Sequence, residues 1–154
     1  MVSVISLLLA LTVTGCSAGA TATMPDPDPS PDLTPQEVIQ LQVEALQVGD
    51  DEGIETAFRF ASPGNRATTG PLDRFTRMVR EGYGDMLGFE RAEFGRMVVE
   101  GDEAVQRVTL IQPDGRRTAY LFALSKQSGG PYADCWMTDA VMPVPPEDNG
   151  LIRT

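Results

Sequence analysis

The stretch VREGYGDMLGFERAEFGRMVV, residues 79–99, decides the fold, because the spacing of its apolar residues changes at Gly88. Before Gly88, apolar residues recur every three or four positions, as expected for a helix with one buried face. After Gly88 the period becomes two, which is typical of a strand with one buried face. The chain is therefore predicted to be helical before this point and to form strands after it.

The first predicted helix has a clear start and a clear end. Thr34 suits the N-cap, Pro35 suits the first helical position, and Glu37 completes a capping box. Apolar residues then recur at helical spacing as far as Gly49, a residue that commonly ends helices.

Two more helices are predicted before Gly88. Asp50 or Asp51 is expected to cap the second helix, which ends at Pro63, and the third begins at Pro71. The third helix turns its apolar side chains inward: Leu72, Phe75, Met78 and Val79. The polar segment SPGNRATTG between these helices, residues 62–70, is expected to be a loop.

The part of the chain after Gly88 predicts an antiparallel sheet of successive strands. The expected strands are 89–99, 104–112, 117–126 and 133–142. Their connections are short and rich in turn-forming residues, which indicates a meander. In strand 117–126, apolar residues occupy both the odd-numbered and the even-numbered positions, which point to opposite faces. This strand is therefore expected to be central in the sheet and covered on both faces. The prediction is one α+β domain over residues 34–143, with three N-terminal helices packed on a curved four-stranded sheet.

The N-terminal residues indicate an export signal. The apolar run over residues 2–13 is too short for a helix spanning a membrane core of about 30 Å. It leads into VTGC, residues 13–16, which resembles the lipobox of bacterial lipoproteins, where the cysteine is acylated. The resemblance implies a signal peptide over residues 1–16 and a lipid anchor on Cys16. The alternative is an ordinary signal or an apolar tail in which this cysteine has no role.

The same resemblance implies a location. A lipid-anchored chain would lie on the periplasmic face of the cell envelope, and Ser17, in place of aspartate, indicates the outer rather than the inner membrane. Residues 17–33 alternate proline with aspartate or serine, which predicts a disordered, extended spacer. Residues 144–154 are expected to form a flexible C-terminal tail. No lysine or arginine precedes the apolar run, so an earlier natural start stays open.

Composition excludes several functions. The formal net charge of -10 would repel nucleic acid. The chain has no histidine, which removes a Ser/His/Asp triad and the usual proton shuttle. Its two cysteines, Cys16 and Cys135, are too far apart for a clustered thiolate site. No metal or cofactor is therefore expected, and Cys135 is interpreted as a small buried apolar residue.

Several spaced motifs resemble a bacterial and plant family known as a domain of unknown function. They are FASP at 60–63, TGP at 69–71, RF at 74–75 and W.TD at 136–139. The resemblance covers about residues 34–142 and implies no known activity. The order of helices followed by a sheet also resembles the cone-shaped fold of nuclear transport factor two and SnoaL-type cyclases. That second resemblance implies a ligand or active site between sheet and helices.

Within such a cone, Asp139 is the candidate catalytic carboxylate. If buried against Trp136, its pKa would rise and it would suit general acid–base chemistry, with Tyr120 or Tyr83 as proton donors. Trp136 and Thr138 would contact the ligand. The alternative is that Asp139 ends its strand in water.

The segment 62–70 is the second candidate site. Ser62, Asn65, Arg66 and Thr68 are predicted to converge on an anionic ligand, helped by Arg74 and by the amides that start the third helix. The alternative is structural, with Ser62 and Asn65 satisfying backbone groups between helices.

Together these features predict a membrane-anchored lipoprotein with a non-catalytic domain that binds a small apolar or anionic molecule or a partner protein. The alternative function is a small-molecule isomerase or hydrolase that uses Asp139. Assembly into a homodimer through the open sheet face is a further interpretation.

Overall fold

The computed structural model describes residues 27–147. Its helices are α1 (Pro35–Val48), α2 (Asp51–Arg59), α3 (Pro63–Thr69) and α4 (Leu72–Gly82). Its strands are β1 (Arg91–Glu100), β2 (Glu103–Ile111), β3 (Arg117–Lys126) and β4 (Trp136–Val144). The predicted signal peptide, Cys16 and most of the predicted spacer lie outside the described residues. Within residues 27–147, no helix is long and apolar enough to cross a membrane.

The first helix begins and ends as predicted. The side chain of Thr34 accepts a hydrogen bond from the amide of Glu37, and the Glu37 carboxylate accepts one from the Thr34 amide at 2.8 Å. Gly49 follows the helix in the left-handed region at φ 83°, a conformation that favours glycine. Local capping chemistry therefore sets both ends of α1.

The prediction that residues 62–70 form a loop is wrong, and so is the helix count of three. Ser62 caps α3 by accepting a hydrogen bond from the Asn65 amide, and Pro63 occupies the first helical position. Proline suits this position because the amide it lacks has no partner inside a helix. Pro63 therefore lies after α2 and is also the first residue of α3. Gly70, at φ 89°, ends α3. Four helices therefore precede the sheet in the described part of the chain.

The sheet is an antiparallel meander in the order β1-β2-β3-β4, as predicted. β3 lies between β2 and β4, which confirms its central position. The first strand starts at Arg91, two residues later than predicted, and Phe89 packs in the core. The last strand starts at Trp136, because a 3-10 turn and the left-handed Asp134, at φ 64°, occupy the preceding residues.

The helices pack on one face of the sheet and form the core with it. Tyr120, Phe122 and Leu124 of β3 point toward the helices and are buried. On the opposite face Leu121 and Ala123 are only half-buried, so β3 is less covered there than predicted. The structure is therefore an α+β domain with a single helix layer.

Both ends of the described chain contact this domain. Leu33 packs against the core, and the Asp28 carboxylate lies 3.9 Å from the Arg59 guanidinium, so the predicted spacer ends in contact with the helices. At the other end, Val144 still belongs to β4. The guanidinium of Arg107 contacts Pro145 and Glu147, which follow this strand. The first residues of the predicted tail are thus packed on the sheet.

Candidate functional site

A cavity of about 510 Å³ lies between the helices and the β3–β4 side of the sheet. All four helices contribute residues to its wall. Most of its lining is apolar, and its apolar side chains include Leu46, Phe75, Met78, Val79, Phe122 and Val141. Its volume falls in the range of small-molecule binding pockets, which are apolar clefts with a few fixed polar groups.

One side of the cavity is polar, and we call it the polar corner: Gln42, Ser62, Asn65 and Thr138. The Thr138 hydroxyl donates a 2.6 Å hydrogen bond to the Gln42 amide oxygen. The Thr138 carbonyl accepts bonds from the Ser62 amide at 2.9 Å and the Asn65 side-chain amide at 3.0 Å. The Gln42 side chain also donates to the Ala57 carbonyl at 3.0 Å. Buried polar groups are tolerated because they are paired in this way.

The polar corner forms where two of the quoted motifs meet. Ala61 makes a parallel bridge to Thr138, and the Thr138 amide donates to the Phe60 carbonyl at 2.8 Å. FASP therefore runs along the outer edge of β4, beside W.TD. The sequence identified both motifs, whereas their contact depends on the tertiary fold.

Asp139 is exposed at the cavity wall, so the condition of burial against Trp136 is not met. The physical reason is a β-bulge. Leu124 pairs with Thr138 and Ala123 pairs with Ala140, which leaves Asp139 as the extra, unpaired residue. Whether its carboxylate takes part in chemistry stays a prediction.

The two candidate tyrosines are in different environments. Tyr83 lines the cavity and its hydroxyl donates to the Val141 carbonyl at 3.4 Å. Tyr120 does not line it; its ring is buried, 6.1 Å from that of Tyr83. Burial, and then the negative charge of Asp85, raise the pKa of Tyr120, so this phenol keeps its proton at neutral pH.

The structure brings only some residues of the predicted anion site together. The Arg66 guanidinium lies 5.1 Å from the ring centroid of Phe58 and 5.3 Å from that of Tyr132, and it donates to the Tyr132 hydroxyl. Arg74 is exposed on α4 and does not line the cavity. Because residues 63–69 are helical, Asn65 and Arg66 point to different sides, so the arginines do not join the polar corner.

Trp136 and Gln42 are the remaining differences from the sequence predictions. Trp136 is half-buried against the core and lies outside the cavity. Gln42, which the sequence analysis did not single out, is buried at the centre of the polar corner. A usable signal was present, because Gln42 lies four residues from both Val38 and Leu46 on the inward face of α1.

The remaining groups of chemical interest within residues 27–147 are the carboxylates and the thiol of Cys135. No cluster of cysteine and carboxylate side chains there could hold a metal ion. Cys135 is a buried free thiol, and burial, followed by the charge of Asp134, raises its pKa. A raised pKa keeps the thiol protonated and poorly nucleophilic.

The fold and this cavity define a small α+β domain with an apolar pocket beneath its helix layer. A family model described as a domain of unknown function, DUF4864, matches residues 30–149. The chain belongs to this family, which confirms the resemblance found from the motifs.

Comparison with solved structures gives a match to a protein from Campylobacter jejuni that bears the provisional name of an NTF2-like transpeptidase. The two share 16% sequence identity at a TM-score of 0.48, over 70% of this chain and 99% of that one. The comparison with curated protein sequences gave no match.

Proposed function

We propose that this protein is a lipid-anchored lipoprotein of the cell envelope whose domain binds a small, mainly apolar molecule in the cavity. The observation that carries the proposal is the apolar cavity of about 510 Å³ with its polar corner. The helix layer and the sheet would act as the two walls of a cone-like pocket. Burial of the ligand's apolar surface would contribute about 25 cal/mol for each Å².

Binding is favoured over chemistry by the nature of the polar groups. The polar corner consists of amides and hydroxyls that already bond to one another, as the contacts of Thr138 with Gln42 and Asn65 show. Such groups fix the orientation of a ligand, but none of them takes up a proton near neutral pH. The chain also has no histidine to do so.

The proposed anchor is the lipobox cysteine, Cys16. Two acyl chains on one residue hold a protein on a membrane stably, since each buried methylene contributes about 0.8 kcal/mol. Residues between Cys16 and the domain would act as the spacer. We place the protein on the periplasmic face, at the outer membrane.

Native mass spectrometry of the full chain, extracted gently from its own membranes, tests both parts. We expect the mass of an acylated Cys16 and one bound small molecule for each domain. A Val141→Phe variant, which fills the cavity from β4, should keep the acyl mass and lose the small molecule. Met142→Phe is the matched control, because Met142 neighbours Val141 but does not line the cavity.

Each part of the proposal has its own contradicting result. A chain without acyl mass at Cys16 would remove the membrane anchor. An acylated domain that is empty, or whose small molecule survives Val141→Phe, would remove the cavity as the binding site. A stoichiometric partner chain in place of a small molecule would make the protein a protein-binding module instead.

An enzyme of isomerase or hydrolase type is the second candidate function. The observation that favours it is that Asp139 and Tyr83 line the same cavity. This function predicts that Asp139→Asn abolishes turnover of the bound molecule while the circular dichroism spectrum stays unchanged. Equal turnover in the parent and the variant would exclude a catalytic role for this carboxylate.

A further inference from the structure

The charge of the cavity wall is distinctive. Among the described residues that line it, Asp139 is the only one with a formal charge, and no arginine or lysine contributes. An anion that entered the cavity would lose its hydration and would gain no cationic partner. Transfer of an unpaired charge into an apolar site costs free energy. The wall therefore disfavours carboxylates and phosphates.

Asp139 itself lacks a charged partner within residues 27–147. Some other carboxylates in this part of the chain form ion pairs with arginines, as Glu93 does with Arg117 at 2.6 Å and Asp114 with Arg116 at 2.8 Å. No arginine or lysine of the described chain forms such a pair with Asp139. Among the described residues, its carboxylate is thus left without an ionic partner.

The bulge determines where this carboxylate lies. Thr138 pairs with Leu124 and contacts Gln42, whereas Ala140 pairs with Ala123. Asp139 falls between these two registers, exposed at the cavity wall and next to the polar corner. Bulges are a common means of redirecting one side chain at the edge of a binding site.

From these observations we infer that the ligand is a cation, an apolar molecule whose ammonium or similar positive group pairs with Asp139. The apolar part of the ligand lies against Phe75, Met78 and Val141 in the cavity. The positive group of the ligand remains at the cavity wall. There the carboxylate of Asp139 replaces part of the hydration that the positive group loses. This inference rests on the proposed function and names the ligand class of the same site.

Three probes with one apolar part and different head groups test the inference. The probes are 4-phenylbutylammonium, 4-phenylbutanol and 5-phenylpentanoate, titrated calorimetrically into the full chain in zwitterionic lipid nanodiscs, with empty nanodiscs as the blank. We expect the ammonium to bind at least about tenfold more tightly than the carboxylate. Asp139→Asn should weaken the ammonium about two- to fivefold and leave the alcohol unchanged.

Two variants make the comparison specific. Asp102→Asn removes the same charge from an exposed residue in the β1–β2 turn and should change none of the three affinities. Asp139→Ser removes the charge with a different side chain and should repeat the effect of Asp139→Asn. A variant counts only if its thermal unfolding midpoint matches that of the parent.

The failure of this inference differs from the failure of the proposed function. The inference of a cationic ligand is overturned if the carboxylate probe binds as tightly as the ammonium probe, or if Asp139→Asn leaves the affinity for the ammonium unchanged. In either case the proposed function stands if Val141→Phe still abolishes binding. If none of the probes binds, or if all bind equally to the parent and to Val141→Phe, both ideas are overturned.

Discussion

The hydroxyl of Thr138 lies 2.6 Å from the side-chain oxygen of Gln42, across 96 residues of sequence. This hydrogen bond joins the first helix to the last strand. Thr138 is 1% exposed and Gln42 is 4% exposed, so neither group has water as an alternative partner. The bond therefore fixes the helix layer against the sheet at the polar corner.

Thr138→Val should destabilise the domain by about 1–3 kcal/mol, because it leaves the Gln42 oxygen buried without its partner. Denaturation in urea, followed by circular dichroism, measures this loss. The double variant with Gln42→Leu should lose less than the sum of the single variants, because it removes both partners together. Additive losses would mean that the two side chains are not coupled.

Gly53→Ala should destabilise the domain by about 1–3 kcal/mol, although alanine is the better helix former. A Cβ atom at Gly53 would overlap the carbonyl oxygen of Ala45, where α2 crosses α1. Gly82→Ala is the matched control, since a Cβ atom there meets nothing within 4 Å. The control should be neutral or gain up to about 1 kcal/mol in free energy of unfolding. Equal effects of the two substitutions would contradict the close helix crossing.

The capping box should give stability that depends on pH. Hydrogen bonds from the backbone amide and then the hydroxyl of Thr34 hold the pKa of Glu37 below its ordinary value of 4.5. The unfolded chain therefore binds a proton more readily, so the contribution of Glu37 is complete above the ordinary pKa. It is lost as the pH falls through the lowered pKa of the folded state.

Glu37→Gln tests this sign. The difference in unfolding midpoint between the parent and this variant should be largest near neutral pH and should shrink as the pH falls from about 6 to about 3. Thr34→Ser keeps both hydrogen-bond donors and should preserve the pH dependence. A difference that stays constant over this range would show that Glu37 does not contribute through its charge.

The thiol of Cys135 should be unreactive in the folded domain. Its side chain is buried, and burial raises its pKa more than the neighbouring charge of Asp134 does. In a Cys16→Ser variant, where Cys135 is the only cysteine, Ellman's reagent should react at least about tenfold more slowly in buffer than in urea.

Asp134→Asn separates the two causes of this low reactivity. Asparagine tolerates the left-handed backbone at this position, so the variant removes only the charge. The folded thiol should remain slow to react, because burial is unchanged. Fast reaction of the folded variant would show that the charge, and not burial, protects the thiol.

The capped helix and the strands were predictable because their signals are local. Thr34, Glu37 and Gly49 act within one or two turns of helix, and the alternating residues after Gly88 pair with neighbours across short turns. Residues 62–70 were mispredicted because Pro63 is compatible with both a helix end and a helix start. Here the Ser62 cap decides between them.

The candidate site was predicted less well for a physical reason. A two-residue period cannot reveal a β-bulge, so the sequence left open whether Asp139 faces the cone or water, and the pairing of β4 with β3 puts it at the cavity wall. The inward position of Gln42 was readable from helical spacing, but its partner, Thr138, was not.

The sequence by itself determined that helices precede the strands, that the strands form a meander, and the family, because these depend on periodicity, capping and short motifs. Only the tertiary structure decided that residues 60–62 run beside β4, that a cavity remains beneath the helices, and which polar side chains meet there. Those features arise from contacts between distant residues. Such contacts are selected by the packing of the whole domain, and a local pattern does not encode them.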